Sequence, residues 1–305
     1  MKKRILLLWL CTLVVSLPKL AAQVKNDKEA SAEQPEFFMS SYNIKPQLLK
    51  KGHYWLNVSA DIPRYFKYYN GMTHQIEDKL PVVVINDTYF NANILYGLND
   101  QWNMYLNVPF TDSHHYSPML FQKGIGFGDV KTGLVYGNLF KTDKHFLSLE
   151  TRLTLPTGIY KHDPEIINTG NGAYALMLGI NGLEKFSNSH WQMAYQGYFD
   201  YRLSKEDMIT KGHAFGANLL FQRPFHTKNG YFGWENAIQF NRQFPDQMNG
   251  QDLPMTDLTE INLSTGGWYK FLDKFYLRFT LPYTIYQNDT YFTKHSFILQ
   301  LDYLF

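Results

Sequence analysis

From about residue 52 to the end, apolar and polar residues alternate one by one, and a period of two restricts a chain to strands with one apolar face. Between Phe275 and Ile285, the residues Phe275, Leu277, Phe279, Leu281, Tyr283 and Ile285 oppose Arg278, Thr280 and Thr284. Leu147, Leu149, Leu153 and Leu155 likewise oppose Ser148, Glu150, Arg152 and Thr154, with Thr151 on the leucine side. Trp191, Met193, Tyr195, Phe199 and Tyr201 oppose Gln192, Gln196, Asp200 and Arg202. A helix would scatter such residues round its whole circumference. Runs of this kind, bounded by turn residues, predict roughly twelve strands. Their approximate spans are 52–64, 86–98, 101–111, 127–140, 144–156, 172–186, 189–203, 212–223, 230–244, 257–271, 273–288 and 291–305.

The connections alternate in length. Short turns fall at Asn99-Asp100, Lys141 to Asp143, Ser187-Asn188, His226 to Asn229 and Leu272-Asp273. Longer loops fall at 65–85, 112–126, 157–171, 204–211 and 245–256, with a short connection at 289–290. Short turns at one end and long loops at the other are the habit of outer-membrane barrels. The expected fold is therefore all-β, an antiparallel up-and-down transmembrane β-barrel of about twelve strands spanning 52–305. A soluble sandwich, which must manage its sheet edges, has no reason to keep this alternation.

Export is expected from the first residues. Lys2, Lys3 and Arg4 precede an apolar stretch from Ile5 to Leu17, and Ala21-Ala22 offers a cleavage point, so 1–22 reads as a signal peptide. That stretch is too short to span a bilayer as a helix. Cys11 is the one cysteine and lies inside it, so no disulfide is expected in the remainder. Residues 23–51 read as a periplasmic N-terminal segment. Phe37, Phe38 and Met39, ahead of Pro46, are expected to pack beneath the barrel, with insertion into the lumen as a small hatch the alternative.

Aromatic residues make up 17% of the chain, with 22 Tyr and 23 Phe, yet mean hydropathy is only −0.33. Lipid-facing apolar residues that alternate with polar lumen residues cancel in this way. The 29 basic and 27 acidic residues leave no basic excess once Lys2, Lys3, Arg4 and Lys19 depart with the signal, so no nucleic-acid partner is expected. At the C-terminus, Phe297, Leu299, Leu301, Tyr303 and Phe305 share one face, opposite Ser296, Gln300 and Asp302. This pattern resembles the terminal strand by which bacterial barrel-assembly machinery recognises its clients. The implied partners are that machinery, outer-membrane lipid and a small-molecule solute; the implied location is the bacterial outer membrane.

A more specific resemblance rests on three glycine-rich motifs. Gly124-Ile125-Gly126-Phe127-Gly128-Asp129-Val130 leads into Lys131-Thr132-Gly133-Leu134-Val135-Tyr136. Leu155-Pro156-Thr157-Gly158 and Thr169-Gly170-Asn171-Gly172 follow. In this order they resemble the outer-membrane proteins of the MetA-pathway phenol-degradation family, relatives of toluene and fatty-acid uptake channels, best between residues 120 and 205. The chain departs from that pattern in the Ile125 to Phe127 spacing and at Ala173-Tyr174. The resemblance implies uptake of small, often aromatic or apolar, compounds and supplies no catalytic residue. The glycines also have a plain structural use, since they permit tight strand entry at a rim, and Asp129 can accept nearby backbone amides.

If the apolar faces meet lipid, Asp61, Lys131, Glu150, Arg152, Asp200, Arg202, Glu235, Glu260 and Arg278 are candidates to line the lumen. Two readings stay open: ion pairs that close a packed interior, or a polar constriction that selects solutes. Asp112, His114 and His115, and separately His162, Asp163 and Glu165, are metal-type residues expected in loops, where solvated polarity accounts for them, so neither metal nor cofactor is expected. An enzyme is not expected either. A hydrolase needs a nucleophile bonded to an oriented histidine, and adjacent His295 and Ser296 point to opposite faces of one strand. A structural or adhesive surface barrel is the alternative to a channel. With both termini periplasmic, a protease-accessible tag at Asn249-Gly250 is expected to be reached on intact cells and one at Lys228-Asn229 is not. The reverse labelling would overturn the strand count or its orientation.

Overall fold

The computed structural model describes residues 44–305 apart from 71–74, 79–83, 118–120, 138, 140, 141, 143, 162, 164, 187–189, 204–208, 228, 229, 254, 255, 273 and 289–291. The alternating segments form twelve antiparallel strands. They are β1 (Tyr54–Asn70), β2 (Val84–Gly97), β3 (Trp102–Tyr116), β4 in two arms (Phe121–Phe127 and Val130–Tyr136), β5 (His145–Leu155) and β6 (Tyr174–Lys185). After these come β7 (Gln192–Leu203), β8 (Ala214–Thr227), β9 (Gly230–Gln243), β10 (Leu258–Leu272), β11 (Phe275–Gln287) and β12 (Phe292–Leu304). Each strand pairs with its neighbours in the chain. Strand β12 then returns to β1, with Leu304 opposite Trp55 and Phe297 opposite Ile62, so the sheet closes on itself. Closure removes the unpaired edge that lipid cannot hydrogen-bond.

The two faces sort by chemistry. Leu149, Leu153, Leu178, Phe199, Leu277 and Phe279 are exposed on the outside, whereas Ser148, Glu150, Asn181, Gln196 and Thr280 are buried inside. A continuous apolar belt of this kind is stable only against lipid. Aromatic pairs gather on the outer face at the short-turn end: Tyr54 with Tyr96, Trp102 with Tyr136, Phe271 with Phe275, and Phe275 with Tyr303. Rings at that height form an interfacial girdle. Phe305 belongs to it and also fastens the closing seam. Its ring meets Tyr303 at 3.8 Å and Tyr54 at 5.9 Å, and its backbone N–H donates to Tyr54 O at 2.8 Å.

Two strands run further than their sequence pattern. β1 continues to Asn70, and β3 to Tyr116 opposite the outer arm of β4, where 65–85 and 112–126 read as loops. These extensions lie beyond the length needed to cross a bilayer. Past that length no lipid face is required, and the sequence there does not alternate. The loop 245–256 also contains a hairpin, Gln247–Met248 paired with Gln251–Asp252. Asn249 and Gly250 turn it with φ of 51° and 78°, the geometry an Asn-Gly type I′ turn requires.

Several inward aromatics stand opposite glycine: Tyr105 opposite Gly133, Tyr198 opposite Gly216, and Trp268 opposite Gly233. A Cβ on any of these glycines would run into the ring, which therefore occupies its partner's side-chain volume and lies along the wall. Gly233→Ala is expected to displace the Trp268 indole and cost about 1–3 kcal/mol. Gly197→Ala, whose Cβ would meet only Ile180 Cγ2 at 3.8 Å, should cost nothing. Urea midpoints of the purified barrel measure both, and equal midpoints would show that the indole is not held against the glycine.

The barrel lumen as candidate functional site

Inside the wall, near the short-turn end, residues 44–50 cross the lumen. Ile44 packs in a cluster with Leu183, Ala194, Leu220 and Ala237, drawn from β6 to β9. Lys45 spans to β5, where its Nζ meets Glu150 Oε1 at 2.9 Å and its carbonyl accepts from Ser148 Oγ at 2.6 Å. Its ammonium also sits 4.2 Å over the Tyr105 ring. On the far side Asn103 brackets the Leu49 backbone, accepting from its N at 2.8 Å and donating to its O at 3.2 Å. The segment therefore touches opposite walls before turning into β1. Phe37, Phe38 and Met39, like the signal segment, lie outside the described residues.

Around this crossing the inner wall carries two bonded chains of polar groups. In one, Asn107 Nδ2 donates to Asn93 Oδ1, Asn93 Nδ2 to Asn57 Oδ1, and Asn57 Nδ2 to Asp302 Oδ1, each at 2.8 Å. Trp55 Nε1 donates to the same carboxylate at 3.1 Å. Arg278 joins it to Glu235, with Nε 3.7 Å from Asp302 Oδ2 and Nη1 bonded to Glu235. In the other chain, Glu150 Oε2 accepts from Asn181 Nδ2 and Gln196 Nε2 at 3.2 Å each, and Asn218 Nδ2 donates to Gln196 Oε1 at 2.9 Å. An amide both donates and accepts, so successive Asn and Gln residues can carry a chain of bonds round a curved wall.

The nine candidate charges divide by height. Glu150, Glu235 and Arg278 lie in the packed layer, each 1% exposed. Asp61, Lys131, Arg152, Asp200, Arg202 and Glu260 are partly exposed and sit further along their strands from the short turns. Asp61 accepts from Ser296 Oγ. Arg202 Nη1 donates to Gln243 Oε1 at 2.7 Å, and its Nε stands 3.7 Å from Asp200 Oδ2. Asn241 donates to Glu260 Oε2 at 3.5 Å. Packed ion pairs and a more open polar layer thus coexist. Sequence reasoning missed Lys45 and Asp302 as members. Asp302 shares its face with Gln300 and Ser296 and was legible by parity; Lys45, outside any alternating run, gave no such signal.

The glycine motifs meet at one place on the outer rim. Asp129, at the break between the arms of β4, accepts from Gly158 N at 3.0 Å and Asn171 N at 2.6 Å. Thr157 Oγ1 donates to Gly128 O at 3.0 Å, and Thr169 Oγ1 to Phe127 O at 2.7 Å. Asp129 is thereby spent on holding the loop after β5. The histidine cluster expected in a loop is instead on β3, and its members separate: His115 pairs with Asp87 at 3.0 Å, His114 with Asp112 at 2.8 Å. Adjacent strand residues point to opposite faces, so the two histidines do not converge. His162 lies outside the described residues. His295 is exposed while Ser296 is buried against Asp61. At the outer rim Lys211 Nζ meets Asp246 Oδ2 at 2.9 Å. Burial acts against its charge, but Asp246 and Tyr160 outweigh this and hold its pKa above the usual lysine range.

A closed twelve-stranded barrel with an apolar, ring-girdled exterior and a polar interior is an integral protein of the bacterial outer membrane. No protein-family model and no curated protein sequence matches the chain. Among solved structures it is similar to the COG4313 outer membrane channel from Pseudomonas putida F1. The TM-score is 0.73 at 16% identity, over 88% of this chain and 100% of that one. It is also similar to the beta domain of the Bordetella autotransporter BrkA, with a TM-score of 0.52 at 12% identity, over 84% of this chain and 100% of the other. At such identities the likeness is one of fold. Arg278→Ala is expected to leave Glu235 and Asp302 buried without their shared guanidinium and to cost about 3–5 kcal/mol. Adding Glu235→Gln and Asp302→Asn should recover much of that loss, measured by urea midpoints. No recovery would show that the three groups do not act as one unit.

Proposed function

We propose that this chain is an outer-membrane channel for passive uptake of small molecules, including aromatic or apolar ones, and that it is not an enzyme. The observation that carries the reading is the division of the lumen. A packed, bonded layer with a crossing segment lies at the short-turn end, and a partly exposed layer of both charge signs lies beyond it. A barrel serving only as a surface scaffold has no need of the second layer, since apolar filling would hold its walls together without buried charge. Fold likeness to a protein described as an outer membrane channel, over the whole of that chain, points the same way. The motifs resembling the phenol-degradation family favour compact, weakly polar solutes.

In this reading residues 44–50 form the narrow point, and the Lys45–Glu150 pair sets how firmly they are held. Planar-bilayer recording is expected to show discrete conductance from the purified barrel. Lys45→Met should loosen the crossing, giving larger and more fluctuating currents. Silence from both proteins would favour the structural or adhesive barrel.

A further inference from the structure

A cavity of about 180 Å³ opens on the lumen against β1 to β5 and β12. Its charged lining is uneven: Lys45, Lys131 and Arg152 border it, against the single carboxylate of Asp61. Two of these charges are already engaged, Lys45 by Glu150 and Asp61 by Ser296. Lys131 and Arg152 take part in no ion pair among the described residues. Of the nearby carboxylates, Glu150 is bonded to Lys45, while Asp200 stands beside Arg202 at 3.7 Å and keeps its Oδ1 buried and unbonded. Arg152 Nε and the Tyr105 hydroxyl are both buried without a hydrogen-bond partner, and both residues line this cavity. Unsatisfied buried donors call for an explanation, and a guanidinium presenting free N–H groups beside an ammonium is the usual means of holding a carboxylate.

We propose that this cavity is a solute-binding subsite for a small organic carboxylate, held by Arg152 and Lys131 with the Tyr105 hydroxyl donating a third bond. The proposal rests on the channel reading for its biological use, but not for its binding chemistry. The rest of the lining is amide-rich: Asn91, Asn93 and Asn107 belong to it, and Asn93 and Asn107 donate within the asparagine chain rather than to the cavity. Ile298 supplies an apolar contact. At roughly 30 Å³ for each water displaced, the space suits an acid of benzoate size.

The full barrel, purified in detergent, is to be titrated with benzoate and with benzyl alcohol by calorimetry, and both compounds added to bilayer recordings. Benzoate is expected to bind and to reduce the current, while benzyl alcohol does neither. Arg152→Gln and Lys131→Gln should each weaken benzoate by about tenfold or more. Arg152→Lys should retain part of the affinity, since it keeps the charge but loses the planar fork. If one glutamine variant fails to assemble, judged by heat-shifted gel mobility, the other carries the test. Conductance without discrimination between benzoate and benzyl alcohol would overturn the subsite and leave the channel standing. Benzoate binding that the variants weaken, in a barrel that carries no current, would support the subsite and remove the channel. Benzoate binding unchanged in both variants would overturn the subsite whatever the current.

Discussion

Every backbone N–H and C=O that faces lipid must find its partner within the protein, and the rest of this molecule follows from that demand. It requires twelve strands to close rather than end, and closure depends on the pairing of the last strand with the first. The terminal residue is therefore part of the wall. Phe305 extends the seam by one more backbone bond to Tyr54, its carbonyl meets His53 Nδ1 at 2.6 Å, and its ring interlocks with Tyr54 and Tyr303. The aromatic residues at this end thus seal the barrel.

Closure turns polar faces inward, where their groups are screened from lipid but crowded on one another. A barrel of this size is wide enough to leave interior space and narrow enough for side chains to meet across it. The molecule meets that condition differently at its two ends. Near the short turns Lys45 brings a charge from outside the sheet to Glu150, and Asn181 and Gln196 bond its other oxygen. Ion pairs of this kind contribute little net stability against apolar filling, but breaking one is costly. Their value is in register: only one placement of residues 44–50 pairs Lys45 with Glu150 while Ser148 and Asn103 bond its backbone.

The parts of this arrangement that were legible in the sequence are those with a period. Strand order, facing and short turns could be read because each lipid-crossing strand repeats apolar and polar residues, as between Phe275 and Ile285. The paired asparagines Asn91 and Asn93, and Asn103 and Asn107, are spaced by even steps and therefore share the inner face, a signal that charge-based reasoning passed over. What could not be read lacks a period. The strand extensions above the membrane, such as Asp112 to Tyr116, have no lipid side to mark them. Lys45 enters from a segment with no regular structure, and its partner is 105 residues away. The division of the nine charges into a packed and a more open layer depends on height, which parity does not encode.

The glycine motifs show why a family resemblance and a substrate are separate questions in such a barrel. Gly170 could not carry a side chain without striking Asp129, and Gly172 holds φ at 65° beneath the Tyr160 ring. These residues are constrained by one another, through Asp129 and the two threonines, and not by anything in the lumen. They break β4 between Phe127 and Val130, so that its outer arm pairs with β3 and, at Lys123, with Ile166 of the loop, while its inner arm pairs with both neighbouring strands. Lys131 is the second residue of that inner arm. The clasp therefore sets where a lumen cation stands, while the other charges lining the same cavity, Arg152 and Asp61, are free to differ without disturbing the clasp. A related chain could keep every glycine of the motif, and with it the fold, yet present another charge pattern to a different solute.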